Sequence, residues 1–144
     1  MDLWIKNIKI VLLQPKKFKY KKVHKKILKN LNFKSNDLKF GTIGLKSINS
    51  GTITAKQLES ARQAISRKIK RKGKLWIKVF PHLPITKKPI DARMGKGVGS
   101  LKYWSTKIKK GTVIFEICGI NFKIAYTAFK TGGAKLPIKT TIIL

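Results

Sequence analysis

Trp76-Ile77-Lys78-Val79-Phe80-Pro81-His82-Leu83-Pro84-Ile85-Thr86-Lys87-Lys88-Pro89-Ile90-Asp91-Ala92-Arg93-Met94-Gly95-Lys96-Gly97-Val98-Gly99-Ser100-Leu101-Lys102-Tyr103-Trp104 is the stretch around which the chain is organised. At its start Leu75, Ile77 and Val79 alternate with Lys74, Trp76 and Lys78, the period of a pleated strand with one apolar face. Pro81 and Pro84 end that strand, because proline brings no N–H to a ladder, and Pro89 keeps the following residues extended. Gly95, Gly97 and Gly99 then fall at alternate positions, with no apolar run to bury them. A long segment so poor in structure signals, inside a chain that folds, is expected to be a functional loop. It carries Lys87, Lys88, Arg93, Lys96 and Lys102 against one acid, Asp91, so its expected partner is a polyanion.

Upstream lies the clearest element, a helix expected from Thr54 to Lys72. Thr54-Ala55-Lys56-Gln57 has capping-box spacing, in which the Thr hydroxyl and the Gln amide each satisfy an orphan backbone N–H. Leu58, Ala61, Ile65 and Ile69 form one apolar stripe. Arg62, Arg67, Lys68, Lys70, Arg71 and Lys72 crowd the remaining surface, and Gly73 suits the position just past the helix end. Cations favour the negative end of a helix dipole, but six exceed what capping needs, so this surface is expected to face phosphates. Before the helix, Phe40 to Ile48 has strand character weakened by two glycines, and Asn49-Ser50-Gly51 is a turn.

Downstream, Trp104 to Ile108 and Val113 to Cys118 read as strands joined by a hairpin-like turn at Lys109-Lys110-Gly111. Phe122, Ala125 and Phe129 share a face at helical spacing, giving a short helix that ends near Gly132-Gly133. Ile138 to Leu144 returns as a strand. The expected fold is an α+β sandwich: a mainly antiparallel sheet with two helices, a basic N-terminal arm and a long glycine-rich basic loop. Met1 to Leu13 reads as an apolar extension, too short to span a bilayer and without a cleavage site or transit-peptide composition; residues 14–144 read as one domain.

The arm, Gln14 to Lys29, interleaves Lys16, Lys17, Lys19, Lys21, Lys22, Lys25 and Lys26 with Phe18, Tyr20 and His24. Basic residues alternating with rings can pair with phosphates and stack on bases. The whole chain has 34 basic and 5 acidic residues, a formal charge of +29. Such a chain repels itself in isolation and is expected to have its charge neutralised by nucleic acid or, in second place, by an anionic membrane surface. With 42% hydrophobic residues it has enough apolar material to fold. Only Arg62, Arg67, Arg71 and Arg93 are arginine, so 30 of the 34 cations are lysine. Cys118 stands alone, which excludes an internal disulfide and any cysteine cluster for metal, and its apolar setting reads as a core position.

Asp2, Asp37, Glu59, Asp91 and Glu116 are too dispersed for a general acid–base pair or a metal site. His82 has no nucleophile beside it. The glycine loop lacks the Gly-Lys-Ser/Thr ending of a P-loop and the flanking elements of a dinucleotide fingerprint. Its glycines instead suit close approach to a sugar-phosphate chain, with Arg93 and Lys96 as cations. An enzyme using Asp91 and His82 is the weakest of the three function classes. No cofactor is expected.

Several blocks resemble the bacterial-type L-sixteen family of large-subunit ribosomal proteins, from Leu13 onward. Leu13-Gln14-Pro15-Lys16 with His24-Lys25 resembles its basic N-terminus; Phe40-Gly41 to Gly44-Leu45-Lys46 and Thr52-Ile53-Thr54-Ala55-Lys56-Gln57-Leu58-Glu59-Ser60-Ala61-Arg62 resemble its next blocks. Lys74-Leu75-Trp76-Ile77-Lys78-Val79-Phe80-Pro81, Pro84-Ile85-Thr86-Lys87-Lys88-Pro89 and Arg93-Met94-Gly95-Lys96-Gly97 are similar to its most specific signatures, and Ala134-Lys135-Leu136-Pro137-Ile138-Lys139-Thr140 to its C-terminal block. Val98 departs from the pattern, where the family usually has lysine; Asn30 to Asp37 matches poorly and Met1 to Leu12 lies outside.

The resemblance implies a non-enzymatic constituent of the large subunit that binds rRNA and neighbouring ribosomal proteins, with no small-molecule substrate, metal or membrane insertion. It also implies a position near the peptidyl-transferase centre, where the protein helps organise the A-site and tRNA region. The expected rRNA-binding residues are Lys16, Lys17, Lys19, Lys21, Lys22, His24, Lys25, Lys26, Arg62, Arg67, Lys70, Arg71 and Lys72. The expected tRNA-facing loop is Lys87, Lys88, Arg93, Met94, Gly95, Lys96 and Gly97, and Arg93 falls where some family members carry a modified arginine. Lysine bias and the apolar N-terminal addition point to a mitochondrial ribosome, ahead of bacterial cytoplasm or plastid. The runner-up is a peripheral basic protein on nucleic acid or an anionic membrane outside the ribosome.

Overall fold

The computed structural model describes residues 13–17, 19, 20, 22–24, 26, 28, 30–32 and 35–144. Met1 to Leu12 of the expected extension, and Phe18, Lys21, Lys25 and Lys29 of the arm, lie outside the described residues. The elements run β1 (Ile43–Ser47), β2 (Gly51–Thr54), α1 (Ala55–Lys68), β3 (Lys74–Ile77), β4 (Leu83–Lys87), β5 (Ser100–Ile108), β6 (Val113–Cys118), α2 (Phe122–Gly133) and β7 (Thr140–Ile143). The α+β class and both helices are as the sequence predicts, and all strand pairs are antiparallel. The strands divide into two sheets, however, one ordered β3-β6-β1-β7 and the other β2-β5-β4.

Strand β6 is the spine of the larger sheet. It pairs with β1 on one side and β3 on the other, and Val113 to Ile117 are buried on both faces. The core gathers Ile43 and Leu45 of β1, Ile114, Phe115 and Ile117 of β6, Leu58, Ala61 and Ile65 of α1, and Ala125, Ala128 and Phe129 of α2. Leu13 is also buried in it, so the last residue of the expected extension belongs to the core. The two helices pack closely at Gly132, where a Cβ would lie 2.4 Å from Cγ1 of Ile65.

Helix α1 begins as its sequence dictates. The Gln57 backbone N–H donates to Thr54 Oγ1 at 3.3 Å, and the Thr54 N–H donates to Gln57 Oε1 at 2.9 Å. Its end comes earlier than expected. Ile69 is the cap, and Lys70 (φ 52) and Arg71 (φ 60) already occupy the left-handed region. The Arg71 N–H donates to the Ser66 carbonyl and the Lys70 N–H to that of Arg67, the two bonds of a Schellman motif. A lysine therefore fills the place the sequence assigns to Gly73, which turns the chain at φ 71 on the way into β3.

Three further expectations are corrected. Pro84 does not end strand structure: it lies within β4, an edge strand whose outer side needs no ladder N–H. The long loop thus shrinks to residues 88–99, the tip of a β4–β5 hairpin. Second, β5 and β6 are not a hairpin, since they belong to different sheets. Ser47 stitches the crossover: its Oγ donates to the Lys109 carbonyl at 2.8 Å and accepts from the Thr112 N–H at 3.1 Å. Third, Phe122 points away from the core, exposed in the first turn of α2 and 6.1 Å from the Tyr126 ring. Ala125 and Phe129 are buried as their spacing predicts.

Candidate nucleic-acid interface

Three basic groups come from different elements. The described members of the arm, Lys16, Lys17, Lys19, Lys22, His24 and Lys26, are all exposed. Lys19 lies over the exposed ring of Tyr20 at 5.4 Å. The arm is fastened to the three-stranded sheet, because Lys107 Nζ of β5 donates to the His24 carbonyl. Val23 and His24 border a cavity of about 230 Å³ with Leu83, Pro84 and Tyr103. Farther on, the Asn32 N–H donates to the Lys110 carbonyl and the Val113 N–H to the Ser35 carbonyl, each at 3.0 Å. The same sheet that carries the glycine loop therefore also holds the arm.

The loop is shaped by its glycines. Gly95 (φ 93), Lys96 (φ 49) and Gly97 (φ 82) are successively left-handed, and the two glycines have open space where a Cβ would stand. At the neck, a Cβ on Gly99 would lie 2.5 Å from the Lys87 carbonyl carbon, so only glycine lets the two strands meet there. Lys88 Nζ donates to the Gly95 carbonyl across the loop. Arg93, Met94 and Lys96 are exposed, Met94 at 97% and Ile90 at 94%. Lys87 is exposed where β4 ends. Cations and apolar tips thus project together into solvent from a hairpin whose strands meet closely at Lys87 and Gly99. Trp104 is buried in β5, and its neighbour Tyr103 is exposed at 38%.

The third group is the end of α1. Arg67, Lys70, Arg71 and Lys72 are exposed around the Schellman turn. Arg62 differs from them. Its Nε and Nη2 donate to Glu59 Oε2 and Oε1 at 2.8 and 2.6 Å, a two-bond fork one helical turn long. The Arg62 hydrogen bond holds the Glu59 carboxyl below the usual glutamate range, and Glu59 in turn raises the pKa of Arg62. Arg62 therefore presents less unspent charge than its helical neighbours.

Sequence reading missed the best-built polar feature. Glu116, opposite Trp76 on β6, has no exposed surface. Its Oε2 accepts the Phe40 N–H at 2.7 Å and the Gly41 N–H at 2.9 Å; the Lys39 N–H reaches both oxygens at 3.3 Å, and Lys78 Nζ stands 3.4 Å from Oε1. Burial is the largest single influence and pushes the pKa up. The N–H groups of Phe40, Gly41 and Lys39, with Lys78, outweigh it and hold the carboxyl below its ordinary value. Over this carboxylate the Phe40 ring stacks on Trp76, centroids 6.1 Å apart at 26°, with Lys78 Nζ 4.1 Å from the Phe40 centroid. The signal available in sequence was Trp76 itself, an aromatic on the lysine face of an alternating strand.

The family pattern described as ribosomal protein L16p/L10e matches residues 15–143. A protein named large ribosomal subunit protein uL16 from Blochmanniella pennsylvanica is 52% identical over 134 residues, covering 92% of this chain and 98% of the relative. One of the same name from Psychrobacter cryohalolentis is 49% identical over 132 residues, covering 92% and 96%. With agreement of that depth across nearly the full length, the chain belongs to the bacterial-type ribosomal protein L16p/L10e family.

Proposed function

We propose that this chain is a structural, non-enzymatic constituent of the large ribosomal subunit, binding rRNA and neighbouring ribosomal proteins and contributing to the tRNA-binding region near the peptidyl-transferase centre. One observation carries this reading: a family member of charge +29 directs Arg93, Met94 and Lys96 into solvent from a hairpin braced at Lys87–Gly99. A solvated loop of that composition suits an RNA groove, where phosphates and 2′-hydroxyls are what side chains meet.

In this reading the arm (Lys16, Lys17, Lys19, Lys21, Lys22, His24, Lys25, Lys26) and the α1 end (Arg67, Lys70, Arg71, Lys72) neutralise rRNA phosphates, with Arg62 a weaker contributor. Lys87, Lys88, Arg93, Met94, Gly95, Lys96 and Gly97 form the tRNA-facing loop. Residues 14–144 act as one domain. The lysine bias and the apolar residues 1–13 support a mitochondrial ribosome as the setting, while the named relatives are bacterial. Among the described residues no helix is long and apolar enough to cross a membrane.

Gradient sedimentation of a lysate from the native source at moderate and high salt, following the chain by mass spectrometry, tests the assignment. Co-migration with the large subunit at both salts is expected. Release at moderate salt, the behaviour of a peripheral electrostatic binder, overturns it. Repeating the gradient on purified mitochondria tests the setting.

A further inference from the structure

Lys74, Trp76 and Lys78 alternate along β3 and its continuation, while Leu75, Ile77 and Val79 pack on the core. The lysine face is not left to solvent. The 39–42 segment crosses it, fixed by the three N–H groups that donate to Glu116 and by the Thr42 N–H, which donates to the Ile117 carbonyl at 3.0 Å. Gly41 permits this approach, since a Cβ there would lie 2.8 Å from both Cβ of Glu116 and the Ile117 carbonyl oxygen. The Phe40 ring is thereby laid over Trp76 and Lys78. Trp76 and Lys78 lie against it, yet the residue is still 60% exposed.

We infer that Phe40, backed by Trp76 and Lys78, is a stacking platform for one unpaired rRNA base. It rests on the rRNA-binding reading above and adds to it a site of different chemistry. A single exposed phenylalanine is ordinary on a protein surface. This one is held by a buried carboxylate and three backbone donors, so its outer face is organised before any ligand arrives and little entropy remains to be lost. The rings beneath are too close to admit a base between them, which leaves the outer face of Phe40. Lys39, next in chain, and Lys74, one strand repeat from Trp76, are both exposed and supply cations for the flanking phosphates. Lys78 is already committed to Glu116 and stands 4.1 Å from the Phe40 centroid. Every base has a π-face, so the site selects an unstacked nucleotide and not a sequence.

Stacking and phosphate contact respond differently to salt. Losing a phosphate contact lowers the slope of log K against log salt; losing a stacked base lowers K and leaves the slope in place. Binding of the full chain to a large-subunit rRNA transcript is measured across a salt series for Phe40→Leu, Phe40→Trp and Arg67→Ala/Arg71→Ala. Phe40→Leu is expected to weaken binding about tenfold at unchanged slope, with one unpaired nucleotide becoming reactive to chemical probes. Phe40→Trp is expected to bind as wild type, and the arginine pair to reduce the slope. Ultraviolet crosslinking of the unaltered chain is expected to give a nucleotide adduct at Phe40, a readout that needs no variant to fold. Wild-type binding and footprint in Phe40→Leu, or adducts confined to other segments, overturn the platform while the arginine slope keeps the rRNA reading. No saturable rRNA binding by the unaltered chain overturns both.

Discussion

Replacing Glu116 is the most informative perturbation of this fold. In Glu116→Ala the N–H groups of Phe40 and Gly41, bonded at 2.7 and 2.9 Å, lose their acceptor, and Lys78 loses its counter-charge at 3.4 Å. An unsatisfied buried donor costs about 1–3 kcal/mol, and removing one partner of a buried ion pair about 3–5 kcal/mol. Lys39 and Lys78 can recover water, so the expected loss is about 3–5 kcal/mol in all, a large part of a typical folding free energy. Glu116→Gln is milder. Both short bonds go to one oxygen, Oε2, which the amide carbonyl can imitate, leaving mainly the lost ion pair and about 1–2 kcal/mol. Lys78→Met is expected to cost less than Glu116→Ala, because the backbone donors keep their acceptor. For the same reason an apolar pair, Lys78→Met with Glu116→Leu, does not recover stability as it can for a simple buried ion pair. Urea unfolding at fixed salt measures the series. Equal losses for Lys78→Met and Glu116→Ala would refute the argument, since the ion pair and not the backbone cradle would then be the dominant contribution. The acid limb supplies a second readout. The Glu116 pKa is depressed on folding, so its stabilisation is complete above the unfolded glutamate value, about 4.3, and is lost as pH falls through the folded value below it. Glu59 behaves likewise, on a more exposed site. With five acidic residues in the chain, Glu116→Gln is expected to remove much of the steepness of acid unfolding.

Other expectations are narrower. Lys70→Gly relieves a left-handed lysine at the end of α1 and is expected to raise stability by about 1 kcal/mol; the same change removes a proposed phosphate contact, lowering the salt slope of rRNA binding by about one. Stability and affinity moving together in that variant contradicts the assignment. Thr54→Ala deletes the acceptor of the Gln57 N–H and is expected to cost about 1 kcal/mol in denaturant unfolding; a loss below a few tenths shows that the capping box contributes little. Gly99→Ala drives a methyl group against the Lys87 backbone and is expected to cost about 1–3 kcal/mol. Hydrogen exchange should show the loss confined to the β4–β5 hairpin, and faster exchange in β6 instead contradicts the local account.

Much of this architecture was legible because its signals are local. The capping box and the stripe Leu58, Ala61, Ile65, Ile69 announce α1 without knowledge of any neighbour, and Val113 to Cys118 is apolar enough to be a strand in any context. Errors arose where a residue's meaning depended on distant chain. Pro84 reads as a terminator until β4 is known to be an edge strand with one side unpaired. Lys109-Lys110-Gly111 reads as a hairpin turn until the buried hydroxyl of Ser47, far upstream, binds the crossover and sends β6 into the other sheet. Lys70 takes the left-handed cap position ahead of Gly73 because Gly73 is required further on, beside the Cys118 carbonyl.

The candidate site divides along the same line. Exposed lysines and loop glycines could be named from composition, since an unburied cation needs no partner from the rest of the fold to present its charge. Glu116 could not. In sequence it interrupts an apolar strand and offers no acid–base partner, and it looks inert. Its role is set by Lys39, Phe40 and Gly41, more than seventy residues away, whose N–H groups converge on it only after β1 has paired with β6. That pairing also supplies a physical reason for one carboxylate to be buried in a chain so rich in cations. Three backbone donors and Lys78 concentrate positive potential at one point under the 39–42 segment, and a neutral side chain there would leave them unsatisfied. The carboxylate removes that conflict, while Lys70, Lys72, Lys87 and Lys96 stay exposed.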